Sequence, residues 1–242
     1  MSPAPEQKQT AVPGAVPDPA DFVPVRTTLP CWPLPLNAVR IPIVTDRLIL
    51  RPLTADDLPA LHTLRTQPAV MRWTAAGRPD ADPAETRARM AAFLPPRDGA
   101  AYNCAICDRA TGALLGVGGA HNWRSRFGWP EVGYMLRTEV WGRGLGTEFL
   151  RGFLEGVWDK LEREVVDGVL VDARTVDARD ADGNVREQLI AITADANEKS
   201  QSVLRKSGFE WFYTWQDQDS TDQDAMIDLP TFRYFPGKGK AE

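Results

Sequence analysis

Glu131-Val132-Gly133-Tyr134-Met135-Leu136 reads as a strand, and Trp141-Gly142-Arg143-Gly144-Leu145-Gly146-Thr147-Glu148 reads as a turn that opens a helix. The first turn of a helix leaves about four backbone N–H groups without internal partners. Its macrodipole adds roughly half a positive charge at the same end. A phosphate satisfies both, provided that the backbone can come close. Gly142, Gly144 and Gly146 carry no side chain to prevent this, and Arg143 and Arg151 add charge nearby. A Walker loop would need a lysine that this turn lacks. A dinucleotide fingerprint counted from Gly142 would need glycine where Thr147 stands. The bland alternative is a glycine-rich helix start with no ligand, but alternating glycines weaken a helix without return.

Working outward, 47–51 reads as a strand, and Thr54 caps a helix that runs to about residue 65. A second helix is expected over 83–93. Strands are expected over 101–107, 113–123 and 131–136, then a helix over 145–160. A strand at 189–194, a helix from 197 closed by Gly208, and strands at 209–215 and 225–235 complete the order. This order implies a mixed α/β sheet with helices on its faces. Residues 1–40 carry many prolines and read as an extended arm, although 22–36 holds enough apolar residues to lie against the domain. Residues 161–187 are polar and acidic and read as an insertion, either a hairpin or an exposed loop. A short tail follows at 237–242.

With 43% hydrophobic and 25% charged residues, the composition is globular. The net charge of -5 and the lack of a basic stripe argue against nucleic-acid binding. No apolar run is long enough to span a bilayer. Residues 1–20 lack the apolar core of a secretory signal and are poor in arginine, so a cytoplasmic location is expected. Cys104 and Cys107 have the spacing of a metal or redox pair, but strand residues three apart point to opposite faces. No metal is therefore expected.

The two opening segments resemble the pyrophosphate-binding segment of the GNAT superfamily of N-acetyltransferases. They are most similar to the branch of the bacterial ribosomal-protein N-terminal (alanine/serine) acetyltransferases. Thr45-Asp46-Arg47-Leu48-Ile49-Leu50-Arg51 is similar to that branch's opening strand, Asn197-Glu198-Lys199-Ser200 to its fourth-helix start, and Lys206-Ser207-Gly208-Phe209 to the junction that follows. The resemblance implies a mostly antiparallel twisted sheet of six to seven strands flanked by about four helices, within a domain over 41–236. It implies acetyl-CoA as cosubstrate and a primary amine as acceptor: a protein N-terminus, a lysine or a small molecule. Cofactor-binding roles fall on Met135, Leu136, Arg137, Trp141, Gly142, Arg143, Gly144, Leu145, Gly146, Thr147, Asn197 and Ser200.

Acetyl transfer needs a neutral amine, donors for the oxyanion and a proton for the thiolate. At pH 7, deprotonation costs about 4.6 kcal/mol for a lysine and about 1–1.4 kcal/mol for an α-amine. Glu131 is the candidate base, directly or through water, against the alternative of a plain strand-end glutamate. His121 is the runner-up. The oxyanion donors are expected at the amides of Met135 and Leu136. Leu204 falls near the position of the superfamily's helix-four tyrosine, and Ser200 is the substitute the closer branch suggests. Asn197 is expected to fix the pantetheine amide, to cap a helix, or both. The rival functional classes are a catalytically silent acyl-CoA-binding module and a nucleotide-binding protein. The chain is expected to be a monomer or a homodimer.

Overall fold

A computed structural model of the protein describes residues 13–222 and 224–237. The first twelve residues of the proline-rich arm and the tail after residue 237 lie outside the described residues. In chain order the strands and α-helices are β1 (Phe22–Pro30), β2 (Ile43–Val44), β3 (Leu48–Pro52), α1 (Leu58–Arg65), α2 (Pro68–Met71) and α3 (Pro83–Met90). There follow β4 (Tyr102–Asp108), β5 (Leu114–Asn122), β6 (Glu131–Leu136), α4 (Leu145–Gly156) and β7 (Arg163–Asp172). The chain closes with β8 (Leu189–Ile192), α5 (Glu198–Lys206), β9 (Glu210–Gln218) and β10 (Met226–Tyr234).

Eight strands form one sheet in the order β2-β3-β4-β5-β6-β8-β10-β9. All its pairings are antiparallel except β6 with β8. The class is the one the sequence implies. The strand beyond the expected count is β2, two residues long and without a pattern of its own.

The two faces of the sheet are covered differently. Leu145, Phe149, Leu150, Phe153 and Leu154 of α4 are buried at helical spacing, and they pack on one face with Leu48, Leu50, Cys104, Val132 and Leu189. On the other face, α1 and α3 cover Ala105, Cys107 and Val117. Cys104 and Cys107 thus lie on opposite faces, and burial pushes the Cys104 thiol up to about 12. No cluster of metal-ligating side chains occurs among the described residues.

The second sheet pairs β1 from the arm with β7 from the 161–187 segment, antiparallel from Phe22↔Asp172 to Pro30↔Arg163. Strand periodicity is hidden in both. Asp167-Gly168 interrupts β7, with Gly168 at φ 73°, and the register shifts between Val25 and Thr27. Pro24 and Pro30 are tolerated because β1 lies at an edge of this sheet. The pair buries Val25, Leu29, Val169 and Val171 against Phe127, Trp129, Ile190 and Trp215. Trp129, a fully buried core residue, donates its indole N–H to Thr175 Oγ1 at 2.8 Å.

Candidate active site

β6 and β8 share a single parallel ladder pair, Glu131↔Ile190, supported by the Ile190 N–H donating to the Pro130 carbonyl at 2.8 Å. Beyond it the strands separate. Alternation along β6 decides which amides face the gap. The Arg137 N–H donates to the Leu115 carbonyl at 2.8 Å, so residues 133, 135 and 137 spend their backbone groups on β5. Tyr134 and Leu136 turn theirs toward β8. The Met135 amide therefore faces β5 instead of the gap, and Tyr134 takes the place expected for it. The Leu136 carbonyl is already occupied by the Trp141 indole N–H at 2.7 Å. Arg137 is committed at its amide to Leu115 and at its guanidinium to Glu139, 3.1 Å away.

At the open end lies the glycine turn. Gly142 and Gly144 adopt φ 73° and 78°, where any Cβ is strained. Gly146 is glycine for a different reason. A Cβ there would sit 3.3 Å from Val203 and 3.6 Å from the Tyr134 hydroxyl, so it sets how closely α4 approaches α5 and β6. Gly144 caps α4 without a side-chain bond, and the first helical bond runs from the Glu148 N–H to the Gly144 carbonyl. Among the described residues, no acceptor meets the amides of Leu145, Gly146 and Thr147. Arg143 is exposed, and its charge acts on the Asp108 carboxylate. Arg151 instead donates to the Lys206 carbonyl and caps α5. Two cations that sequence reasoning did not place here are Arg47, which donates to the Arg143 carbonyl at 2.9 Å, and Lys199, whose ammonium lies 5.6 Å from the Trp141 ring centre.

Across the gap, Asn197 Oδ1 accepts from the Ser200 N–H at 3.2 Å and so caps α5. The Ser200 hydroxyl lies near the Tyr134 phenol on this side of β6. The Tyr134 ring packs 5.8 Å from Phe149, and burial raises its pKa above the ordinary phenol value while the Ser200 contact opposes this.

On the opposite face of β6, the His121 ring lies over Gly133, where a Cβ would stand 2.9 Å from its Cε1. His121 Nε2 is 3.7 Å from Glu131 Oε1, and Asn122 Nδ2 donates to Glu131 Oε2 at 3.5 Å. Burial raises the Glu131 pKa; attraction from His121 and the Asn122 bond work against it. The structure thus brings both base candidates together. The hairpin between β9 and β10 reaches across from the far flank of the sheet. There Ser220 Oγ donates to the Thr74 carbonyl at 3.3 Å, in the segment after α2.

The parallel pair parts toward a helix N-terminus whose amides meet no acceptor among the described residues, and residues 47–210 match the acetyltransferase (GNAT) domain family. The chain belongs to that family, whose members use acetyl-CoA as acetyl donor. Solved structures agree in fold. A GNAT-family acetyltransferase from Bacillus anthracis superposes with TM-score 0.60 at 15% identity, over 82% of this chain and 100% of that one. A candidate ribosomal-protein-serine acetyltransferase from Vibrio cholerae gives 0.55 at 19% identity, over 81% and 98%. Spermidine N-acetyltransferase from Vibrio cholerae, solved with CoA and spermine, gives 0.57 at 15% identity, over 80% and 98%. No curated protein matches the chain. Among the described residues no helix is long and apolar enough to cross a membrane.

Proposed function

We propose that the protein transfers the acetyl group of acetyl-CoA to a primary amine by direct attack in a ternary complex. The pyrophosphate would rest on the amides of Leu145, Gly146 and Thr147 with Arg47, Arg143 and Lys199 around it. The pantetheine arm would lie along β6, and the amides of Tyr134 and Leu136 would meet the thioester oxygen. Preorganised amides of this kind are often the largest catalytic contribution. Asn197 keeps Nδ2 for the arm while Oδ1 caps α5.

The observation that carries this reading is the juxtaposition at Glu131. A carboxylate with a raised pKa stands beside His121 where the two parallel strands begin to part. A base with a pKa nearer neutrality takes a proton from an ammonium group at lower cost than an ordinary carboxylate. The acceptor would approach from this face, beneath the contact between Ser220 and Thr74.

The test is calorimetry with acetyl-CoA, ATP and NAD, followed by a thiol-release assay against peptides with free N-termini, lysine peptides, polyamines and small amines. Binding of acetyl-CoA with release of thiol on one amine class supports the reading. Binding without turnover on any amine makes the protein a silent acyl-CoA module. Preference for ATP or NAD overturns the reading altogether.

A further inference from the structure

We propose that the 161–187 insertion builds a second ligand site, which takes a small free α-amino acid with an apolar side chain. The site lies apart from the glycine turn and stands independently of the acetyltransferase reading.

Register places three strand ends together. β10 pairs with β8 through Tyr234↔Leu189 and with β9 through Arg233↔Glu210. The start of β8, the start of β9 and the end of β10 therefore meet, at the end of β8 away from the glycine turn. Over them folds the 176–186 loop. Its two legs are bridged at Arg179↔Val185, and the Val185 N–H ties it to the arm by donating to the Arg26 carbonyl at 2.7 Å. A cavity of about 310 Å³ lies between the loop and the strand ends, near the small end of the range for small-molecule sites.

Gln188, on the wall of this cavity, fixes one pole of its ligand. The side chain is 1% exposed, and its Nε2 donates to the Thr175 carbonyl at 2.6 Å. A carbonyl accepts and never donates, so the amide group cannot be turned over. Its Oε1 is left buried with no donor among the described residues. A buried acceptor left unmet is destabilising, so an N–H or O–H donor belongs there.

Charge decides the rest. Asp177 and Glu210 share one guanidinium: Arg233 Nη2 is 2.7 Å from Asp177 Oδ2, and its Nε is 3.2 Å from Glu210 Oε1. Two carboxylates against one cation leave that wall net negative. Arg186 stands exposed at the rim, with its guanidinium 4.6 Å from the Phe235 ring centre. An ammonium group meets Gln188 Oε1 and the negative wall, and a carboxylate meets Arg186. Ala178, Val185 and Phe235 supply an apolar surface between the poles. A plain amine forgoes Arg186, and a plain acid forgoes Gln188.

The test is calorimetry on the full chain, with and without saturating CoA, using leucine, isoamylamine and isocaproate as probes. Leucine should bind with one-to-one stoichiometry and equally well in both conditions, and the other two about 10-fold more weakly or less. Ala178→Trp, on an exposed residue of the cavity wall, should abolish leucine binding. Gln188→Met should weaken it about 10-fold. Arg186→Ala should weaken it only about 2- to 5-fold, because an exposed pair is screened by solvent. If Gln188→Met fails to fold, Ala178→Trp decides alone. No binding of leucine, alanine or valine overturns the proposal and makes the cavity a site for water only. Leucine binding unchanged in Ala178→Trp, or displaced by CoA, also overturns it, because the ligand then sits elsewhere. Failure of the wild type to bind CoA would instead sink the acetyltransferase reading and leave this proposal standing on the leucine titration.

Discussion

Glu131 and Tyr134 stand three residues apart on β6 and project to opposite faces of the sheet, the first toward His121 and the second toward Phe149 and Ser200. The side chains on the two faces of this strand therefore have separate surroundings. This separation makes their contributions measurable one at a time.

The pH dependence of the rate should carry the signature of Glu131. Burial raises its pKa, so the rising acid limb of kcat/KM should have its midpoint above the ordinary glutamate value of about 4.3. Glu131→Gln should lower kcat by about 100-fold and abolish that limb. Because attraction to His121 lowers the Glu131 pKa, His121→Ala should move the midpoint upward. Stability follows the same sign. The raised pKa favours the protonated fold, so this contribution is present at low pH and lost as pH rises through the folded value.

Gly133→Ala separates the position of His121 from its chemistry. The new Cβ would meet the His121 ring at 2.9 Å, and the ring is free to swing away because its edge is exposed. The variant should fold normally and reproduce the upward shift of His121→Ala. A pH profile identical to the wild type would show that His121 does not act on Glu131.

Gly144→Ala tests the proposed phosphate cradle. An alanine at φ 78° costs about 1–2 kcal/mol, and the strain is relieved only by reorienting the amides around it. Acetyl-CoA affinity should fall about 5- to 30-fold by calorimetry. Gly112→Ala, at φ 74° in the turn between β4 and β5, imposes similar strain and should leave the affinity unchanged.

Glu148 ties the first turn of α4 to the start of β3. It accepts from Thr45 Oγ1 at 2.6 Å and from the Arg47 backbone N–H and Nε at 2.7 Å each. Burial alone would raise its pKa, but these bonds outweigh it and hold the carboxyl below its usual value. Glu148→Gln should cost about 1.5–3 kcal/mol in urea melts at pH 7. The difference should persist above the unfolded value near pH 4.3 and shrink as pH falls through the depressed folded value.

The sequence alone was enough for the glycine turn, the strand that feeds it and the amphipathic α4, because each is a local pattern: a left-handed backbone needs glycine, and a buried helical face needs apolar residues at 3.6-residue spacing. Cap and strand alternation likewise placed Asn197 on α5 and separated Cys104 from Cys107. The β1–β7 sheet was hidden because its partners lie far apart in the chain and its periodicity is broken by Pro24 and by Asp167-Gly168. Only the tertiary structure decided that Arg151 caps α5 rather than the ligand, that Arg47 and Lys199 approach the turn, that Met135 gives its amide to β5, and that the Tyr134 phenol lies near Ser200. Each depends on which neighbour an element packs against, and a contact between distant segments leaves no periodic trace in either of them.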